Sequence, residues 1–219
     1  LLIQGCATAP PHDYSAYLSH MPRSILVLPP VNESTEVMAP YIYLSTITQP
    51  LAEQGYYVFP VAVIDALMKE NGVPSPEDMA QVPLNKIREV INPDAVLYMT
   101  VVEWGTKYQV VDSVTVVHVR GHLVDTATGI VLWEEEHTLR KSSSSGSNDI
   151  IGMLVAAVIN QIVTSISDPS REVADTANDQ LFFDQYDGLL LGPRHSQFEM
   201  DQREHRALQN QSIKESSSP

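Results

Sequence analysis

The sequence has very few cysteines and few basic residues. One cysteine among 219 residues excludes an intrachain disulfide and a zinc site built from several cysteines. Lys and Arg number 13 against 27 Asp and Glu, and the formal net charge is −14. Because phosphate recognition depends on clustered Lys and Arg, we expect no nucleic-acid partner. The same balance argues against attachment to an anionic membrane through a basic patch.

Long uninterrupted apolar runs are also missing. The longest apolar stretch, Ile150 to Ile159, contains a glycine and is far shorter than the ~20 residues that a membrane-spanning helix needs. Apolar residues nevertheless make up 43 % of the chain, which is enough for a sizeable core. With about 150 residues per domain as a guide, the simplest organisation is one compact domain with tails.

The sequence lacks the common catalytic and nucleotide-binding motifs. It contains no G-x-S-x-G elbow, no H-E-x-x-H, no Walker loop and no G-x-G-x-x-G. A Ser–His–acid triad is compatible with the composition, but the Ser-rich stretch Ser142–Ser147 is typical of a flexible link. We therefore predict a protein that is not an enzyme and that uses no cofactor and no metal ion.

The N-terminal residues Leu1–Cys6 resemble a bacterial lipobox, in which a small residue precedes an acylated cysteine. Gly5 supplies that small residue, and Cys6 is the predicted lipidation site. Residues 1–5 are then the remnant of a signal peptide and residues 6–23 a lipidated tether. Two or more acyl chains make anchoring stable. Ala7 stands where Asp would indicate retention at the inner membrane, so the lipobox implies attachment to the outer membrane through acyl chains on Cys6.

The periodicity and turn residues predict an α+β fold with the order β-α-β-α-α-β-β-β-α. We expect a single mixed sheet with helices packed mainly on one face. One domain would cover residues 24–192, and residues 193–219 read as a disordered tail. The predicted elements are a strand at Ser24–Leu28, a helix at Met38–Gln54 that Pro50 should kink or split, a strand at Tyr56–Phe59, a helix at Val61–Glu70, a helix from Ser75 to about Asn92 interrupted at Pro83, strands at Ala95–Trp104, Ser113–Val124 and Ile130–Thr138, and a helix at Ser147–Ser167.

The last two strands predict a hairpin register. If Val124 faces Ile130 across the intervening loop, Gly121 lies opposite Trp133 and leaves room for the indole. His118 and His122 then share a strand face, where four residues separate them by roughly 13 Å. One metal ion cannot bridge that distance, so we interpret them as solvent-facing histidines.

Two segments carry more apolar residues than a sheet covered on one face requires. The strand Ala95–Trp104 is apolar on both faces, and the helix Ile150–Ile166 has a broad apolar face. The surplus is explained either by a second covering layer around Phe182 or by a protein–protein interface. The interface hypothesis predicts a homodimer. Its candidate residues are Tyr98, Val102, Trp104, Ile151, Val155, Val158 and Ile162.

Four runs of sequence resemble a family of bacterial lipoproteins of unknown function, of the meningococcal surface-antigen type. The runs are ILVLPPVNES, PLAEQGYYVFPVAVIDALMKENG, DAVLYMTVVEWGTKY and LVDTATGIVLWEEE, and the resemblance covers about Cys6 to Gly192. The core is also similar to the N-terminal domain of the translocation protein TolB and to the periplasmic domain of curli-secretion lipoproteins. The resemblance implies a lipid-anchored domain in the periplasm, a homodimer, accessory to transport or secretion across the envelope.

Two functions of different classes follow. The first is a non-enzymatic interaction module of the outer membrane, with an envelope protein partner that the sequence does not identify. The second is a periplasmic carrier or binder of a small ligand, using a cleft near Pro29 and Pro30 and the loop Val31–Val37. A deep apolar pocket would favour the carrier.

Overall fold

The computed structural model of the chain describes residues 12–108, 113–142 and 169–216, which contain seven helices and six strands. The elements are α1 (Ser15–His20), β1 (Ser24–Val27), β2 (Val31–Asn32), α2 (Ala39–Glu53), β3 (Tyr57–Val58), α3 (Val61–Glu70), α4 (Pro76–Ala80), α5 (Leu84–Val90), β4 (Ala95–Tyr108), β5 (Ser113–Asp125), β6 (Val131–Ser142), α6 (Pro169–Phe182) and α7 (Phe198–Ser216). The helix predicted at Ser147–Ser167 lies outside the described residues.

The strands form one mixed sheet in the order β3-β1-β4-β5-β6, with β2 also paired to β4. β1 runs parallel to β3 and β4, whereas β4, β5 and β6 form an antiparallel meander. The parallel pairs require crossovers, and helices α2 to α5 provide them. The predicted α+β fold with a single mixed sheet is confirmed.

Two apolar clusters cover the two faces of the sheet. The larger cluster joins one face of β1, β4, β5 and β6 to α1, α2 and α6. The smaller cluster packs Leu26, Leu28 and Val96 from the opposite face against residues of α3, α4 and α5. Helices therefore lie mainly on one face, and three short helices cover the other face beside β1. This arrangement explains why β1 is apolar at successive positions.

The start of α4 and the end of α2 carry the capping residues that the sequence predicts. The Ser75 hydroxyl accepts a hydrogen bond from the Asp78 backbone at the start of α4. Gly55 follows α2 with a φ of +90°, a left-handed conformation that favours glycine. α2 itself is one helix through Pro50, where a kink or break was expected. Pro50 has no N–H to donate to the Thr46 carbonyl, but it begins the last turn of α2, so the ladder loses this one bond near the helix end.

The predicted hairpin register is wrong by two residues. Leu123, not Gly121, lies opposite Trp133, and Gly121 lies opposite Glu135. The structure has a bulge beside Val124, and β6 begins one residue later than predicted. Because the error is an even number of residues, the assignment of side chains to the two faces is unaffected.

Both ends of the described chain depart from the predicted tether and tail. Tyr14, Tyr17 and Leu18 are buried in the main core, so the packed domain begins well before residue 24. Residues 198–216 form the polar helix α7, where a disordered tail was expected. α7 is rich in Glu, Gln and Arg, which favour helix even where apolar residues are few.

Candidate functional site

Two ring side chains stack on the face of β4 and β5 that carries the smaller apolar cluster. Tyr98 and His122 are cross-strand neighbours, and their rings stack at 5.1 Å between centroids and 12° between planes. Burial lowers the pKa of His122, partly opposed by Glu134, and burial raises the pKa of Tyr98. Tyr98 is thus a half-buried residue whose ring already has a partner within the chain.

A cleft of about 220 Å³ lies beside this stack, next to Pro29 and Val31, where the carrier hypothesis predicts a cleft. Its lining includes Tyr98 and His122, together with Pro29, Val31 and Thr100. Pockets for drug-sized ligands measure about 300–1,000 Å³ and are mostly apolar. The cleft is smaller and includes polar side chains, so it differs from the deep apolar pocket that would favour a carrier.

Charged side chains on the same face are joined in pairs. An Arg120 guanidinium nitrogen lies 3.3 Å from a Glu33 carboxylate oxygen, and His118 contacts Glu136. The Glu103 carboxylate contacts Lys107, and one of its oxygens lies 3.9 Å from a guanidinium nitrogen of Arg140. Lys107, and then Arg140, lower the pKa of Glu103. No group of three His, Cys, Asp or Glu in the part of the chain that the structure describes could hold a metal ion. Glu33, Glu103 and Glu136 therefore each have a basic side chain beside them within the chain.

The structure separates the three predicted interface residues of β4. A bulge at Val102 shifts the pairing with β5 between Val101 and Glu103. The alternation of side chains reverses at that point, and Trp104 turns into the main core with 7 % of its surface exposed. There its ring meets Tyr43 edge-on at 6.4 Å. The prediction that Trp104 lies in an exposed interface is wrong, and Val102 is half-buried at the bulge.

The other predicted site residues are outside the described ranges. They are the lipidation site Cys6 and the helix residues Ile151, Val155, Val158 and Ile162. Their roles stay predictions.

Sequence reasoning missed a buried network that holds the N-terminal segment in the domain. The Tyr14 hydroxyl donates to the Gly188 carbonyl at 2.6 Å, and the Tyr56 hydroxyl donates to the Leu190 carbonyl. The Tyr17 and Tyr56 hydroxyls are bonded to each other. Burial raises the pKa of all three tyrosines, so they stay protonated donors. The signal in the sequence is the helical spacing of Tyr14, Tyr17 and Leu18.

The C-terminal helix α7 closes over this N-terminal segment. Arg206 donates to the Leu18 carbonyl at 2.9 Å, and the Gln209 amide donates to Asp13 at 2.8 Å. The His205 ring meets Tyr14 edge-on at 5.1 Å. α1 is therefore clamped between the sheet and α7. Among the described helices, none has the length and apolar character needed to cross a membrane.

Comparisons with known proteins identify relatives of this chain. The family model described as "Putative lipoprotein GNA1162-like" matches residues 12–194. A curated protein of Neisseria meningitidis serogroup B, "Putative lipoprotein NMB1124/NMB1162", is 41 % identical over 197 residues, which are 89 % of this chain and 92 % of the relative.

Solved structures include the crystal structure of lipoprotein GNA1162 from Neisseria meningitidis. It has a TM-score of 0.55 and 44 % sequence identity, over 66 % of this chain and all of that chain. A PelC dodecamer from Paraburkholderia phytofirmans has a TM-score of 0.41 and 22 % identity, over 64 % of this chain and 86 % of that one. The similarity to the PelC structure is too low to support any conclusion about function.

Proposed function

The chain belongs to the GNA1162-like family, and from that premise we propose that it is a lipid-anchored, non-enzymatic interaction domain of the bacterial envelope. The domain would act in a transport or secretion assembly, with the outer membrane as its anchor surface. The family match carries the proposal, because the matched family and its relatives bear the names of lipoproteins and not of enzymes.

Cys6 is the proposed point of attachment. It is the only cysteine of the chain and follows a small residue, as cleavage of the peptide before a lipobox cysteine requires. Acyl chains contribute about 0.8 kcal/mol for each buried CH₂, and two or more chains make the attachment stable. A folded domain on such an anchor needs no basic surface, which agrees with a net charge of −14.

The position of the first core residue limits how far the domain reaches from the membrane. Tyr14 is buried in the main core and follows Cys6 by only eight residues in sequence. An extended chain spans at most about 3.6 Å per residue, so this connection reaches at most about 29 Å. Because α7 clamps α1 in place, the domain cannot lengthen the connection without losing the contacts of Arg206 and Gln209. We therefore propose a partner that lies close to the membrane surface.

A small-ligand carrier is the second candidate. The observation that favours it is the cleft beside Tyr98 and His122, which lies at Pro29 and Val31 as that hypothesis expected. A volume of about 220 Å³ suits a group of few atoms and not a large lipid or drug-sized molecule. Chemical-shift changes confined to Tyr98, His122 and Thr100 on titration with envelope metabolites would support the carrier.

The anchor is tested by fractionating envelopes from cells that express the full precursor. The wild-type chain should sediment with outer membranes, and Cys6→Ala should yield a folded chain that is soluble or uncleaved. The matched variant Ala7→Asp keeps the acylated cysteine and should move the protein to the inner membrane. Outer-membrane sedimentation of Cys6→Ala at the wild-type level would contradict the anchor.

The interaction role is tested by crosslinking in intact envelopes followed by mass spectrometry. We expect crosslinks to envelope proteins from exposed lysines of the wild-type chain, and a loss of those crosslinks in Cys6→Ala. A wild-type chain that crosslinks to no protein, while remaining membrane-bound, would contradict an interaction module and leave the anchor intact.

A further inference from the structure

A second cleft lies at the end of the sheet where β1 and β4 begin and β5 ends. Its volume is about 200 Å³, and its wall includes Arg23 and Asp94, which directly precede β1 and β4, and Asp125, the last residue of β5. Arg88 of α5 lines the same cleft. Four charged side chains, two of each sign, therefore line one small concavity that the proposed function does not use.

The two arginines of this cleft have no partner within the domain. In the part of the chain that the structure describes, neither the Arg23 nor the Arg88 guanidinium has a hydrogen bond or an ion pair. The exposed Arg203 differs, because its guanidinium lies 3.1 Å from the Glu199 carboxylate. A guanidinium presents its N–H donors in a planar fork that matches the oxygens of a phosphate or a carboxylate. The cleft therefore offers two unused forks to an anion.

The two carboxylates of the cleft are held in place by donors of the chain. Asp94 Oδ2 accepts hydrogen bonds from the Arg23 amide at 2.9 Å and from the amide and hydroxyl of Ser24, both at 3.0 Å. Asp125 Oδ1 accepts from the amide and hydroxyl of Thr128, both at 2.7 Å. Among the described residues, none donates to the other oxygen of either carboxylate, so each carboxylate keeps an acceptor for a ligand.

Hydrogen bonds join the walls of the cleft. Thr126 donates from its amide and its hydroxyl to the Asp94 carbonyl, both at 3.0 Å, which ties the β5–β6 loop to the start of β4. The His20 ring at the end of α1 lies 3.4 Å from the Thr128 hydroxyl of the same loop. A preformed site loses little conformational freedom when a ligand binds. The charged groups are therefore attached to a backbone that needs no rearrangement.

We infer that this cleft binds a small zwitterion, a phosphate ester that carries a primary amine, of which phosphoethanolamine is the simplest. The phosphate lies against the guanidiniums of Arg23 and Arg88, and the ammonium donates to the free oxygens of Asp94 and Asp125. An anion without an amine would add its charge beside two carboxylates, and an amine without an anion would leave both guanidiniums unpaired. A ligand with both charges gives a partner to all four side chains.

A phosphate suits the two arginines better than a carboxylate does. Arg23 precedes β1 and Arg88 lies on α5, so the two forks belong to different elements. The oxygens of a carboxylate lie in one plane and fill one fork, whereas phosphate oxygens point in several directions and can meet two. The cleft of about 200 Å³ is smaller than the pockets of drug-sized ligands, so it fits a headgroup and not a whole lipid.

The same chemical group occurs free in solution and as the headgroup of phosphatidylethanolamine. The lipid source rests on the proposed function, because a membrane-anchored domain stays beside lipid headgroups. The cleft includes His20, the last residue of α1, and α1 follows the connection to Cys6. The ionic recognition itself does not depend on the anchor.

Binding is tested on the full chain carrying Cys6→Ala, by calorimetry and NMR, with probes that share one phosphate group. Phosphoethanolamine should bind. Methyl phosphate has no amine, and the methylated amine of phosphocholine cannot donate a hydrogen bond, so both should bind about tenfold or more weakly. Changes in amide chemical shift should centre on Arg23, Asp94 and Ala127. Equal binding of the three probes, or no binding of phosphoethanolamine, would overturn the inference.

Variants that remove one charge separate the two halves of the site. Arg23→Gln and Arg88→Gln should each weaken phosphoethanolamine binding by about tenfold or more, since each removes a charged donor, and both should fold because neither guanidinium has a partner to lose. Arg203→Gln removes the same charge from α7 and should have no effect. Asp94→Asn keeps an oxygen for its backbone donors, and it should weaken phosphoethanolamine and strengthen methyl phosphate. Unchanged binding in both cleft arginine variants would contradict the site.

Vesicle flotation of the same Cys6→Ala chain distinguishes the two sources of the ligand. Flotation with vesicles of phosphatidylethanolamine and phosphatidylcholine, lost in Arg88→Gln and absent with phosphatidylcholine alone, would assign the ligand to lipid. Binding of soluble phosphoethanolamine without flotation would assign it to a free metabolite, and either result supports the cleft. A chain that binds neither form refutes it. Because Cys6 is absent from this chain, the fractionation test of the anchor is independent of all these results.

Discussion

A methyl group added at Gly121 tests how β4, β5 and β6 pack in the main core. Gly121 lies opposite Met99 on β4, and both belong to the core face of the sheet. A Cβ at position 121 would lie 2.5 Å from the Met99 sulfur and 2.9 Å from its terminal methyl, and 3.5 Å from the Trp133 ring. The sulfur contact is far too short and the indole contact is ordinary. Met99 and not Trp133 therefore limits this position.

We expect Gly121→Ala to lower the free energy of unfolding by about 1–3 kcal/mol, as overpacking of a closed core does. Met99 is 2 % exposed, so its flexible end has little free space to move into. Met99→Ala alone should cost about 2–5 kcal/mol by leaving a cavity. In the double variant the new methyl occupies part of that cavity. The double variant should therefore lose about 1–2 kcal/mol less unfolding free energy than the two single variants lose together.

The assay is urea unfolding of the full Cys6→Ala chain, followed by tryptophan fluorescence. Both tryptophans, Trp104 and Trp133, are buried and report on the core. Additive costs in the Gly121→Ala/Met99→Ala double variant would refute the packing argument. Rescue of Gly121→Ala by Trp133→Phe instead would indicate that the indole fills the space beside Gly121, as the register predicted from the sequence requires.

Three further predictions concern single side chains. Trp104→Ala should lower the free energy of unfolding by about 3–5 kcal/mol, because this residue lies in the core and not in an interface. Urea unfolding measures this loss, and sedimentation should show that the variant has the same oligomeric state as the wild-type chain. The pKa of His122, measured by NMR, should lie below about 6.5 and rise when Tyr98→Ala opens its surroundings. Because protonation then favours the unfolded chain, His122 should make stability fall as the pH drops through its unfolded pKa. Arg206→Ala should cost about 1.5–3 kcal/mol through its lost bond to α1, whereas Arg203→Ala, which breaks only an exposed pair within α7, should be nearly neutral.

The strongest patterns in the sequence predicted most of the fold. Continuous apolar β1, the capped start of α4 at Ser75 and the bounds of α3 all follow from local chemistry, and the structure has them. The hairpin register depends instead on a one-residue bulge beside Val124, which leaves no mark in the pattern of apolar residues. A register that is wrong by two residues keeps the same faces, so the pattern could not correct it.

The described parts of the two ends differ from the predicted tether and tail, because composition is a poor guide to helices that dock through polar contacts. α7 has few apolar residues, and it contacts the N-terminal segment through the hydrogen bonds of Arg206 and Gln209 and the ring contact of His205 with Tyr14. Its helix-forming residues were visible in the sequence, but its partner, a segment 185 or more residues away, was not. For the candidate site, the cleft at Pro29 and Val31 was placed correctly, whereas the role of Trp104 was not.

The apolar residues of β4 have a different explanation from the protein interface that composition suggested. Alternation assigns Trp104 to the face of Tyr98, and an uncovered tryptophan on that face would call for a partner protein. The bulge at Val102 sends Trp104 into the main core, and the short helices α3 to α5 cover the other face at Val96. Both faces of β4 are thus used within the chain, and their apolar residues no longer require a second copy. Among the described residues, packing within the chain therefore explains the apolar surplus of β4 without a partner protein.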